Sequence, residues 1–110
     1  MRVLYRIVRS NPPTAWDFTS NEAKGRVPRR PLRAHERRLW RGLSVFDTLD
    51  SARAAAQQTP TLGDFIAEIA IPSNDESILI EQTGRIGHYT VWGSPARVLR
   101  YVRQVVAVVE

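Results

Sequence analysis

Apolar and polar positions alternate with a period of two through several short stretches of the chain. The clearest begins at the N-terminus, where Val3–Val8 sets Val3, Tyr5 and Ile7 on one face of a strand and Leu4, Arg6 and Val8 on the other. Arg6 therefore falls on a face that is otherwise apolar. The same period predicts a strand at Asp64–Ile71, which Pro72 closes, and Leu43–Phe46, Ser77–Gln82, His88–Trp92 and Val102–Val109 read as further strands.

Helical spacing is confined to short segments. Leu49, Ala52 and Ala56 lie along one side of a helix over Leu49–Gln58, which Asp47 or Thr48 can cap. Ser94 followed by Pro95 is a good N-cap and first position for a helix to about Tyr101. Thr14 with Asp17 three residues on predicts a further short helix ending near Gly25, and Leu32–Leu39 a fourth. Several connections between strands are too short for parallel crossovers. The expected architecture is α+β, one domain over residues 1–110, with a split, mostly antiparallel sheet and short helices.

Composition changes this picture in one respect. The 110 residues carry 16 Lys plus Arg against 11 Asp plus Glu, a formal +5, and 24–41 holds half of the cations. Lys24, Arg26, Arg29, Arg30, Arg33, Arg37, Arg38 and Arg41 face the single acid Glu36 there, while the other 92 residues have 8 basic and 10 acidic groups. Pro28 and Pro31 punctuate this segment, which reads as a basic loop leading into the fourth helix. Arg29, Arg30, Arg37 and Arg38 are its candidate contacts to nucleic acid or to an acidic protein partner.

The chemistry available is bounded by what the chain lacks. It has no cysteine, its two histidines are 53 positions apart (His35 and His88), and its six glycines form no phosphate-loop or dinucleotide motif. No metal site is expected. The longest apolar run, Val105–Val109, is far below the roughly 20 residues of a membrane helix. A cytoplasmic domain that does not engage membranes is the expectation.

Read together, LYRIV at the N-terminus, WRGLSVFDTLDSARAAA in the middle and GDFIAEIAIP after it resemble the ADP-ribosyltransferase-like superfamily. That superfamily includes toxins carrying a RES domain and RNA phosphotransferases that use NAD. The resemblance spans most of the chain and implies a split antiparallel sheet whose cleft takes NAD as a substrate for ADP-ribose transfer or NAD cleavage. It implies that Arg6 contacts the ribose or phosphate region, that Ser44 supports the cleft, and that Glu81 supplies the late acid, with Glu68 as its rival. The paired acids of the family pattern are absent, since Gln82 and Thr83 follow Glu81. Tyr5, Phe46, Tyr89 and Trp92 are the aromatic candidates for stacking on nicotinamide. The resemblance also implies an RNA or protein acceptor, an antitoxin as a partner and, at this length, a partner chain, a neighbouring domain or a second copy completing the cleft.

Two readings therefore stand: a small NAD-dependent domain working through Arg6, Ser44 and a glutamate, and a noncatalytic interaction module working through residues 24–41. For Arg6 the structural alternative to a ligand contact is an ion pair with Asp47, Glu68 or Glu81. For the three tryptophans it is a place in the core.

Overall fold

A computed structural model describes residues 1–109. The chain folds as α+β, with six strands and three short helices: β1 (Arg2–Val8), α1 (Ala34–Trp40), β2 (Leu43–Phe46), α2 (Leu49–Gln58), β3 (Phe65–Ile71), β4 (Leu79–Gln82), β5 (His88–Trp92), α3 (Pro95–Arg100) and β6 (Val102–Ala107). The strands form one six-stranded sheet in the order β4-β5-β2-β1-β3-β6, and every neighbouring pair is antiparallel. The sheet is thus continuous rather than divided in two. Its weakest seam is central, because β1 and β2 share a single registered pair, Tyr5 with Phe46.

Both faces of the sheet are covered, which explains why β3 is apolar on both sides. On one face Leu4 and Val8 of β1 pack with Leu43, Val45, Ile69, Val91, Phe18 and, from α3, Val98. On the other, Ala52 and Ala56 of α2 pack on Ile66 and Val108, with Tyr5, Ile7 and Phe46 at the margin. The alternation along β1 directs Leu4 and Val8 into the first core and Tyr5 and Ile7 toward the second.

The predicted boundaries of β2 and α2 match the structure residue for residue, and Thr48 caps α2 by accepting a hydrogen bond from Ser51 N at 3.1 Å. Ser94 likewise accepts from Arg97 N at the start of α3, at 3.2 Å. The segment after Thr14 differs. In place of a helix to Gly25 there is one 3₁₀ turn, Ala15–Phe18, and a separate turn at 21–25. The Asp17 carboxylate holds this turn by accepting from Arg9 N (2.9 Å), the Ser10 hydroxyl (2.7 Å) and Thr14 N (2.9 Å), bonds that fold the chain back on β1 instead of propagating a helix. The fourth helix is α1, shifted to Ala34–Trp40 and with no buried residue. Among the described residues no helix is long and apolar enough to cross a membrane.

Candidate functional site

Beyond the Tyr5–Phe46 pair the β1 and β2 backbones are no longer in register with one another, and the side chain of Arg6 occupies the opening. Its Nε donates to the Asp17 carbonyl and its Nη1 to the Ser44 carbonyl, both at 2.8 Å. One guanidinium thus links β1, β2 and the 3₁₀ turn, supplying at this seam the bonds that a ladder would supply elsewhere.

Among the described residues Arg6 has no carboxylate in contact. Asp47, Glu68 and Glu81, the ion-pair partners expected for it, all lie elsewhere; its two acceptors are main-chain carbonyls. Burial pulls its pKa down to about 10, which the charge of Asp17 only partly opposes, so it stays protonated at neutral pH. Asp17 itself is pushed up by burial, but the hydrogen bonds from Thr14, Arg9 and Ser10 outweigh this and hold it below the ordinary range.

A cleft of about 320 Å³ opens along this seam, at the low end of the roughly 300–1,000 Å³ typical of small-molecule sites. Its walls carry Arg6, Arg9, Lys24 and Arg26, with Ser44, Phe46 and His88 on the β2–β5 side. The cations are close enough to act on one another: burial lowers the Lys24 pKa first, then the charges of Arg26 and Arg6, with Asp17 opposing and Arg9 adding to the fall. Like charges gathered around a partly desolvated space attract an anion. His88 donates Nδ1–H to the Thr83 carbonyl at 2.8 Å and packs edge-on against Phe46, with ring centroids 5.5 Å apart.

The sequence-derived candidates divide around this cleft. Arg6, Ser44 and Phe46 border it together. Ser44 contributes its carbonyl to Arg6, and its own side chain is exposed. Glu81 is two strands away from Ser44, in the cross-sheet row Ser44–Thr90–Glu81, and its carboxylate takes Arg38 Nη1 at 2.7 Å. Glu68 lies on β3, where it accepts from the Tyr5 hydroxyl at 3.1 Å and Arg103 Nε at 2.5 Å. Neither glutamate borders the cleft. Of the aromatic candidates, Tyr5 is tied to Glu68, Tyr89 lies under Arg2 at 4.6 Å, and Trp92 lies under Arg38 at 4.1 Å while donating Nε1–H to the Arg38 carbonyl.

The basic segment is also redrawn. Arg30 is paired with Glu36 and Arg38 with Glu81, whereas Arg29 and Arg37 make no ion pair among the described residues. Trp16, expected in the core, is 58% exposed. Of the other charged residues on the cleft, Arg9 carries no signal in the sequence and Asp17 reads there only as part of a helix start. Lys24 and Arg26 belonged to a visible run of cations, but only the fold of the turn at 21–25 brings them to Arg6. Among the described residues no three His, Cys, Asp or Glu side chains gather as metal ligands would. Compared with known protein families, with characterised proteins and with solved structures, the chain matches none.

Proposed function

We propose that the β1–β2 cleft binds NAD or a similar dinucleotide by its pyrophosphate, and that this chain alone is a binder rather than an efficient transferase. The observation that carries this is Arg6: a partly desolvated guanidinium with no carboxylate in contact, on a cleft wall shared with Arg9, Lys24 and Arg26. A pyrophosphate offers bidentate acceptors to a planar guanidinium and charge to the surrounding cations. The resemblance to ADP-ribosyltransferase-like proteins in LYRIV and WRGLSVF supports NAD as the particular dinucleotide. Phe46 is the aromatic wall against which a nicotinamide or adenine ring would pack.

ADP-ribose transfer or NAD cleavage needs a carboxylate beside the ribose as positive charge develops there. Asp17 is the one acid bordering the cleft among the described residues, and both of its oxygens already accept hydrogen bonds. Binding is therefore the activity that the geometry supports best. Calorimetric titration with NAD, ADP-ribose and nicotinamide tests this, with free nicotinamide followed in parallel. NAD and ADP-ribose, which share the pyrophosphate, are expected to bind, nicotinamide alone is not, and a Lys24→Gln/Arg26→Gln variant should lose about tenfold in affinity, or about 1.4 kcal/mol. Absence of heat with both dinucleotides at millimolar concentration overturns the proposal, and rapid nicotinamide release overturns its second half.

A further inference from the structure

The exposed indole of Trp16 belongs to neither core nor cleft. In the 3₁₀ turn Asp17 and Phe18 point inward and are buried, which leaves Trp16 outside at 58% exposure, the only tryptophan that is largely exposed. The Lys24 ammonium lies 5.0 Å from its ring centroid. The turn that carries Lys24 is fastened to the end of α1, since Glu22 N donates to the Trp40 carbonyl and Arg41 Nε pairs with Glu22 at 3.0 Å. Counting back along α1 from Arg41 in steps of four reaches Arg37 and then Arg33, on the same side of the helix. Both are exposed and make no ion pair among the described residues, as does Arg26 beside Lys24. Trp16, Lys24 and Arg26 thus sit at the C-terminal end of α1, and the side of that helix that carries Arg41 carries Arg37 and Arg33 as well.

We infer that this surface binds single-stranded nucleic acid, with a base stacked on Trp16 and the following phosphates on Lys24, Arg26, Arg37 and Arg33. A flat aromatic platform flanked by cations matches a chain that alternates flat bases with phosphates. An unpaired strand is required because a paired base hides its face from the indole. An acidic protein would engage the same cations, but its carboxylates carry no flat rings between them, whereas bases alternating with phosphates match an indole set beside cations. The surface differs from the set first expected, because Arg30 and Arg38 are neutralised by Glu36 and Glu81 and drop out. It shares Lys24 and Arg26 with the dinucleotide cleft, whereas Trp16, Arg33 and Arg37 lie outside that cleft and Arg6 takes no part in this surface.

The test is fluorescence anisotropy of a fluorescein-labelled 12-mer of oligouridylate at several KCl concentrations. Binding in 50 mM KCl is expected to weaken linearly on a log–log salt scale. Trp16→Ala should cost at least fivefold, the low end for loss of one base–aromatic stack, and Trp16→Phe, which keeps a stacking face, less than twofold. Arg33→Gln/Arg37→Gln should weaken binding and shallow the salt slope by about 1.4, from two lost phosphate contacts at about 0.7 each. Arg30→Gln/Arg38→Gln should leave affinity within twofold. No binding in 50 mM KCl overturns the inference, as does an affinity that stays within twofold of wild type in Trp16→Ala or in Arg33→Gln/Arg37→Gln. Equal binding of polyglutamate with the same dependence on Trp16 also overturns it and assigns the surface to acidic protein chains.

Discussion

Arg6 reaches Ser44 through the main chain: its Nη1 donates to the Ser44 carbonyl at 2.8 Å, and the Ser44 hydroxyl takes no part in that bond. A carbonyl survives any substitution of its side chain. Ser44→Ala is accordingly expected to leave urea-unfolding stability within about 0.5 kcal/mol of wild type, the usual range for a surface change. Dinucleotide affinity should stay within twofold if the residue acts only by placing Arg6.

Replacing Arg6 has the opposite outcome. Arg6→Met keeps an apolar stem on the first core but leaves the Asp17 and Ser44 carbonyls without their donor at the seam of the sheet. Hydrogen bonds to charged groups contribute about 1.5–3 kcal/mol each, offset here by relief of a partly desolvated charge. A net loss of about 1–3 kcal/mol in urea unfolding is expected, together with loss of dinucleotide binding.

Acid should weaken the fold through Asp17. Its folded pKa is depressed below the ordinary value of about 3.9, so its stabilising contribution is complete above that value and disappears as pH falls through the folded pKa. Unfolding free energy should be insensitive to this group between pH 7 and 5 and decline below about pH 4. Asp17→Asn should lower stability at pH 7 by about 2 kcal/mol and flatten the acid limb, because an amide cannot accept all three bonds from Arg9, Ser10 and Thr14.

Gly63 is required by the packing of β3 against the end of β1. At φ +155 a Cβ there would lie 2.3 Å from the Val8 carbonyl oxygen, a backbone atom that cannot turn aside. Gly63→Ala should cost more than about 2 kcal/mol, combining strain with displacement of Val8. Thermal unfolding read by circular dichroism measures this.

Glu81→Gln separates the cleft from the late strand. Its pair with Arg38 is exposed on both sides, and such pairs contribute about 0–1 kcal/mol. Stability should change by no more than that, and NAD affinity should not change, since Glu81 does not border the cleft. A large fall in NAD affinity would place this carboxylate at the ligand after all.

The elements that were legible in the sequence are those whose signals are local. Short strand-like runs after Gly42 and Gly87 located β2 and β5 to the residue, and the Thr48 and Ser94 caps fixed the starts of α2 and α3. The segment from Thr14 to Arg33 was less legible, because its order comes from Asp17 bonding back to β1 and from Glu22 and Arg26 meeting Arg41 and Trp40. None of those contacts leaves a periodic trace. Trp16 was misplaced for the same reason: an indole is apolar enough for a core, and only the direction of one 3₁₀ turn puts Phe18 inside and Trp16 outside.

An α+β chain with antiparallel strands, an Arg6 on an apolar strand face and a concentration of cations in 24–41 can all be read along the chain without its fold. Those are properties of spacing and composition. Which cations share a space was decided by tertiary structure alone. Arg38 and Glu81 are joined only because α1 lies beside β4 and β5, and Lys24 and Arg26 join Arg6 and Arg9 only because the turn at 21–25 folds back to the β1–β2 seam. Charge interactions depend on distance through space, and distance through space is what a linear order of residues leaves open.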